Sequence, residues 1–293
     1  MRVAIYGNEV KESYLPIYKR IFDFSEKNHI ELILLQRIKS VLIAEYGLAV
    51  EALPVFGEKI KMDDKADILL SIGGDGTFLS SVPYVLECNI PIAGINCGRL
   101  GFLADISSEN LEGALLQIIN GEFTLEKRSL LQVFEPVGCF NGFNYALNEL
   151  TVHKLDNSSM IQIETYINGE FLANYWADGL IVSTPTGSTA YSLSVGGPIV
   201  MPDLEGLVIT PIAPHNLTVR PIVVPDDVEV ELRVTGRGQQ FLVSFDHRSI
   251  PFDFSSHIKV RKAPAKVSVV KLKGQSFYST LRNKLMWGMD KRN

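Results

Sequence analysis

The stretch ADILLSIGGDGTFL, residues 66–79, runs an apolar segment into two adjacent glycines, an aspartate and a third glycine, then turns apolar again. Residues 66–72 read as a buried strand, and the apolar residues from Phe78 onward resume as a helix over 78–87. Pro83 either bends that helix or marks its true start. Strand, glycine turn and helix in succession is the βα half of a βαβ unit, which implies a parallel sheet. In such a sheet the glycines fall at the carboxyl edge, where ligands bind.

The flanking sequence repeats the pattern. RVAIY (2–6), IELILLQ (30–36) and PIAGIN (91–96) read as strands. Residues 13–28 carry Tyr14, Ile17, Tyr18, Ile21 and Phe22 at helical spacing, and 38–47 forms a shorter helix. Ser108 is the expected N-cap of a helix over 109–120, with Glu109 and Glu112 in its first turn and Gly121 at its end. From about residue 123 the period changes from helical to alternating. MIQIETYINGEFLANYWADG (160–179) alternates on both sides of Asn168-Gly169, the signature of a type I′ hairpin. DVEVELRVTG (227–236), QQFLVSF (239–245) and AKVSVVKL (265–272) are further strands. Residues 276–291 return to helical spacing, with Phe277, Leu281 and Leu285 on one face. The expected organisation is an α/β, Rossmann-like domain over 1–122 and an all-β, sandwich-like domain over 123–274. A helical tail, 275–293, returns to the first domain.

Bulk properties narrow the function. The chain has 293 residues, room for two domains. A net charge of −5 argues against a nucleic-acid partner. Anionic substrates would therefore need local Lys, Arg, backbone amides or a metal. No apolar run is long enough to span a membrane, and the start lacks the pattern of a signal peptide. Cys88, Cys97 and Cys139 show no CxxC spacing and read as reduced thiols of a cytoplasmic protein. The five histidines are scattered without a zinc-binding pattern.

The glycine stretch admits two readings. Consecutive glycines let backbone N–H groups approach an anion closely, and the following helix N-terminus adds favourable potential for phosphate. The plain alternative is a tight turn with Asp75 as helix cap and Thr77 in the first turn. GGDGT arises by chance in a chain of this length at odds of about 10⁻⁴. A carboxylate beside phosphate is electrostatically awkward unless it serves as a general base or a metal neutralises the phosphates. A base beside a triphosphate implies phosphoryl transfer to an alcohol. DGLIVSTPTGSTAYSLSVGGP (178–198) crowds hydroxyls and glycines behind an apolar strand. ALNELTVHK (146–154) places Asn148 and Glu149 inside a strand-like stretch.

GGDGT at 73–77, NCGRLGFL at 96–103, the Asn148-Glu149 pair and the 178–198 block together resemble the NAD kinase family along nearly the whole chain. GGDGT alone is shared with diacylglycerol, sphingosine and phosphofructokinases, whereas STPTGSTAY is far more specific. The resemblance implies a transferase that moves the γ-phosphoryl group of ATP to the 2′-hydroxyl of the adenosine ribose of NAD, with Mg²⁺. It implies Asp75 as the base at an interdomain cleft. Gly73, Gly74, Gly76 and Thr77 would meet phosphate, and Phe78 would line the dinucleotide site. Asn148 and Glu149 would bind NAD, as would Asp178, Thr186, Thr189, Ala190, Tyr191, Ser194 and Asp246, partly across a subunit contact in a homodimer or homotetramer. No protein metal ligand is implied. Many members carry Asp-Gly-Gln where this chain has Asp246-His247-Arg248, and the preferred reading of His247 and Arg248 is a solvated turn. Trp176 stands where members differ and could tune the subunit contact. The competing readings are a lipid or sugar kinase and a non-catalytic NAD(P)-binding sensor. The acceptor-side residues argue against a lipid groove, and retention of Asp75 argues against a sensor.

Overall fold

The computed structural model describes residues 1–61, 66–98, 101–140, 142–155 and 160–288. Arg99 and Leu100 of the NCGRLGFL stretch lie outside the described residues, as do residues 289–291 of the expected tail helix. The chain parts into two compact units, Met1–Lys127 with Val267–Asn293 (unit 1), and Arg128–Lys266 (unit 2).

Unit 1 alternates strands and helices: β1 (Arg2–Tyr6), α1 (Leu15–Lys27), β2 (Glu31–Leu35), α2 (Gln36–Ala44), β3 (Val55–Phe56), β4 (Ile68–Gly73), α3 (Asp75–Val85), β5 (Ile92–Asn96), β6 (Ile106–Ser107) and α4 (Leu111–Ile119). The strands pair in the order β5-β4-β1-β2-β3, all parallel. β4 and β5 are buried at every position, as expected for parallel strands covered on both faces. The order reverses direction between β1 and β4. Open α/β sheets bind ligands at that point, beyond the carboxyl ends of the strands. The glycine stretch emerges there.

The expected helix near 109–120 starts differently. The Ser107 hydroxyl accepts from Glu109 N at 3.2 Å and caps a short 3-10 turn over Ser108–Asn110, and α4 then begins at Leu111. Ser108 is therefore not the cap. The extra turn moves the capping serine one residue upstream and the start of the α-helix two residues downstream. Pro83 lies inside α3, which begins upstream at Asp75.

Unit 2 is built of strands. β7 (Phe123–Glu135) enters it from unit 1. Then come β8 (Tyr145–Ala146), β9 (Glu149–Lys154), β10 (Ile161–Ile167), β11 (Glu170–Ala177), β12 (Gly179–Ser183) and the short helix α5 (Tyr191–Ser194). β13 (Gly206–Ile212), β14 (Ile222–Pro225), β15 (Glu229–Thr235), β16 (Gln240–Phe245), β17 (Arg248–Asp253) and β18 (His257–Leu272) follow. One antiparallel sheet runs β14-β13-β12-β9-β16-β17. A second set runs β11-β10-β15-β18. The core of unit 2 joins inward residues of both, among them Val152, Val182, Val243 and Phe245 from the first and Ile163, Leu232 and Val260 from the second. Each fully buried side chain of this kind contributes about 1.5–3 kcal/mol. Asn168 and Gly169 both take positive φ, 50° and 80°, as the type I′ turn between β10 and β11 requires.

β18 finishes in unit 1, where Val269 pairs with Ile92 of β5. Helix α6 (Phe277–Leu285) follows, with a capping box at Ser276. Among the described residues, no helix is long and apolar enough to cross a membrane.

Candidate functional site

In unit 1, β4 ends at Gly73, where φ is +156° and an added Cβ would sit 2.2 Å from Thr77 Oγ1. A side chain at 73 would displace Thr77, so glycine is required at this close approach. Gly74 is the N-cap of α3 and offers no side chain to it. The helix begins at Asp75, and its first intrahelical bond is Phe78 N to Gly74 O at 3.0 Å. The amides of Asp75, Gly76 and Thr77 therefore lack helical carbonyl partners and form the anion-accepting end of α3. Tyr6 donates to Asn8, Asn8 to Ser80 at 3.1 Å, and Ser80 to the carbonyl of Gly76. This relay ties the end of β1 to the glycine turn.

Asp75 does not cap its own helix. Phe102 N donates to its Oδ2 at 2.9 Å, while Leu103 N and Ala104 N donate to Oδ1 at 3.0 and 2.9 Å. Lys284 Nζ stands 3.4 Å from Oδ2. The loop that supplies these amides is shaped by close contacts. A Cβ on Gly101 would lie 1.8 Å from Asp75 Oδ1, and one on Gly94 would lie 2.6 Å from Ala104 Cα. Asn96 closes the loop by donating to Ala104 O and accepting from Gly98 N. Phe78, expected to line a dinucleotide site, is instead fully buried within unit 1, and its ring packs at Gly94.

In unit 2, the backbone of 147–149 is fixed from three directions. Asp246 accepts from Leu147 N, Asn148 N and Glu149 N at 2.8–3.2 Å. Thr184 donates its hydroxyl to Leu147 O at 2.6 Å and its amide to Asn148 O at 2.9 Å. Gly187 lies so close that a Cβ would fall 2.2 Å from Asn148 O. Glu149 is buried, its Oε2 has no partner, and Ser183 stands opposite it in register. Burial pushes the Glu149 carboxyl up to about 8; the Asp246 charge adds to this, and the Tyr191 amide opposes it. Near neutrality Glu149 is thus largely a neutral acid, able to donate as well as accept.

The 178–198 block sorts its hydroxyls by position. Thr184, Ser188 and Ser192, four apart, are buried and hydrogen-bonded within the scaffold. The buried hydroxyls of Thr186 and Ser183 have no hydrogen-bond partner. Thr189 donates to Thr186 O, Ala190 is half-buried, and Tyr191 and Ser194 are exposed. Asp178 pairs with Lys154 Nζ at 2.6 Å. Asp246 and His247 form the two-residue turn between β16 and β17, as expected for a turn. Arg248 is not solvated as expected: its guanidinium donates to the carbonyls of Phe143 and Tyr145 and lies over the Phe143 ring. A cavity of about 620 Å³ lined by Trp176, His215 and Arg237 contains none of the expected site residues.

The sequence contained no local sign of Lys284, Arg248 or the 102–104 amides. Each acts across a large separation in the chain. Only the NCGRLGFL resemblance touched the amide loop.

Residues 53–123 match the model of the ATP-NAD kinase N-terminal domain, and residues 147–272 that of the ATP-NAD kinase C-terminal domain. The chain is 48% identical to the NAD kinase of Flavobacterium johnsoniae, with both chains covered in full. It is 44% identical to that of Flavobacterium psychrophilum, again over both full lengths. Yeast NADH kinase, solved with NADH, shares the fold with a TM-score of 0.82 at 22% identity, over 99% of this chain and 89% of that one. An NAD kinase from Archaeoglobus fulgidus, solved with ATP, gives a TM-score of 0.75 at 26% identity, over 98% and 99% of the two chains.

Proposed function

The chain belongs to the NAD kinase family, and on that premise we propose that Asp75 is the base that moves the γ-phosphoryl group of ATP onto the 2′-hydroxyl of the adenosine ribose of NAD. The supporting observation is the Asp75 carboxylate, held by three backbone amides beside a glycine turn at the switch point of a parallel sheet. The O–H bond of the ribose hydroxyl breaks and its proton passes to Asp75. The freed oxygen bonds the γ-phosphorus, the bond to the β-phosphate oxygen breaks, and ADP leaves. Positioning and charge neutralisation do most of the work in such transfers. The unpaired amides at the start of α3, with Gly73, Gly74, Gly76 and Thr77, suit the phosphates.

Asn148, Glu149 and the unpartnered Thr186 hydroxyl suit the dinucleotide. A neutral Glu149 can both donate to and accept from a ribose or carboxamide. Tyr191 presents an exposed ring to cover a base or nicotinamide, with Thr189, Ala190 and Ser194 beside it in the chain. Asp246 acts through the 147–149 backbone, and Asp178 through its pair with Lys154.

Mg²⁺ belongs to this reading only with the nucleotide. Among the described residues, no group of three or more His, Cys, Asp or Glu side chains could hold a metal ion. An all-protein metal cage is therefore not formed among the described residues, and no step here passes through the ion. It would come as the counter-charge of the phosphates. Exposed Ile222 and Val223 on the edge strand β14 support a homo-oligomer, and the three unpaired cysteines support a cytoplasmic setting. A coupled assay that detects NADP from NAD with ATP, polyphosphate or no donor tests the activity. Parallel arms carry NADH, a sphingoid base and fructose 6-phosphate. NADP formation with ATP is expected. Binding of NAD without turnover would overturn the reading.

A further inference from the structure

The C-terminal helix is fastened to the loop that cradles Asp75. Gln275 accepts from Leu272 N and donates to Asp105 O at 3.0 Å. Asp105 forms a buried ion pair with Lys271 of β18. The Phe277 ring packs 6.2 Å from that of Phe102. The capping box at Ser276 fixes the start of α6, and Thr280 and Leu281 are buried beneath it. These restraints place Lys284, in the last turn, over the Phe102 ring at 4.5 Å and beside Asp75 Oδ2 at 3.4 Å.

Lone-pair counting makes that place informative. Each carboxylate oxygen has about two acceptor sites. Both sites of Oδ1 are filled by Leu103 and Ala104 amides. Oδ2 has one filled by Phe102 N, and its other faces Lys284, at the longest of the four distances. Both side chains are about one-third exposed, so this contact can exchange while the amides stay. A lysine ammonium is a point charge on a flexible stem, suited to changing partners.

We propose that Lys284 is a positioning residue for the phosphoryl transfer, occupying the one Asp75 lone pair a ribose hydroxyl can reach and shifting to the incoming triphosphate. The inference rests on Asp75 being the base. Oδ2, not Oδ1, then takes the hydroxyl proton, and the lysine cation remains beside the transferring phosphoryl group as Asp75 becomes neutral. Among the described residues, Lys284 is the charged side chain in contact with Asp75. Asp105 turns to Lys271, and α3 holds no further charged residue.

Steady-state rates, with KM for ATP and NAD, for the wild type, Lys284→Met, Lys284→Arg, Asp75→Asn and Asp75→Asn/Lys284→Met test this. Methionine keeps an aliphatic stem over Phe102 and removes the charge. Lys284→Met should lower kcat/KM for ATP by roughly 10–100-fold, with KM for NAD within about twofold. Lys284→Arg should recover most of the rate, and Lys284→Met should cost less in the Asp75→Asn background than in the wild type, because part of its effect passes through Asp75. If Asp75→Asn is inactive while Lys284→Met keeps wild-type rates, the Lys284 role falls and the base reading stands. A loss of rate shared equally by kcat/KM for ATP and KM for NAD, with a lowered melting temperature and no rescue by arginine, marks a helix anchor and also overturns it. Near-normal turnover by Asp75→Asn would overturn the base reading, and this inference with it.

Discussion

Asp75 accepts the amides of residues 102–104, and Asp246 accepts those of 147–149, with the same division: the first amide to Oδ2, the next two to Oδ1. The difference lies chiefly in exposure. Asp75 opens a helix and faces the ammonium of Lys284, with both side chains about one-third exposed. Asp246 sits in a hairpin turn with φ of +53°, where burial raises its carboxyl while its three amides and the Arg248 guanidinium oppose this. One cradle presents a partly exposed carboxylate. The other organises a buried backbone, and its charge adds to the burial that raises the Glu149 carboxyl. Three backbone amides thus fix a carboxylate without assigning its role, and the companion charge and exposure do that.

The sharpest break in this comparison is one substitution at both positions. Asp75→Asn should lower the rate of NADP formation by about 10³–10⁴-fold, the upper range for a positioned base. Its unfolding free energy should fall by less than that of Asp246→Asn, because the partly exposed Asp75 site lets water take up the displaced amide. Gly101→Ala comes next, because the new Cβ competes with Asp75 Oδ1 for space. A carboxylate displaced by about 1 Å should cost roughly 10²-fold in kcat. Circular dichroism should still report a folded protein.

Asp246→Asn should act on stability first. The new amide turns a donor toward backbone donors, so urea unfolding should show a loss of about 1–3 kcal/mol. KM for NAD should rise through the displaced 147–149 backbone. A stability loss from Asp75→Asn as large as that from Asp246→Asn would erase the distinction between the two cradles.

The gentlest test is pH. The Glu149 carboxyl is raised in the folded chain to about 8 from its usual 4.5. Its contribution to stability is full below about pH 4.5 and is lost as pH rises through about 8, at no more than about 1.4 kcal/mol per pH unit. Glu149→Gln cannot ionise and should flatten that part of the curve, as read by unfolding at pH 5–9.

Much of the fold was legible because its signals are local. The run 66–72, the helical spacing of 13–28 and the Asn168-Gly169 turn each encode their element within a few residues. Two local readings missed by one step. Ser107, not Ser108, caps the turn, since an inserted 3-10 turn leaves no trace in the pattern of apolar residues. Phe78 lies near the glycines in sequence, but its ring is buried against Gly94 of β5, a contact no local pattern announces. The site was legible only as motif residues. Asp75 was visible, yet its amide partners lie 27–29 residues away and Lys284 lies 209 away. Arg248 read as surface charge because the carbonyls it holds belong to a segment more than 100 residues earlier.

The path of β18 has a consequence for the order in which a working molecule can come into being. A chain grows from its N-terminus, and domains fold as their residues emerge. Unit 1 cannot follow that rule, because Val267 onward is made only after all of unit 2. Until then Asp105 lacks Lys271, Phe102 lacks Phe277 and Asp75 lacks Lys284. The edge of β5 also lacks Val269. A ribosome that stalls within residues 128–266 therefore releases a product whose glycine turn is present but whose carboxylate has no ammonium beside it. The surroundings of Asp75 are completed last, so their completion records that synthesis has passed through both units.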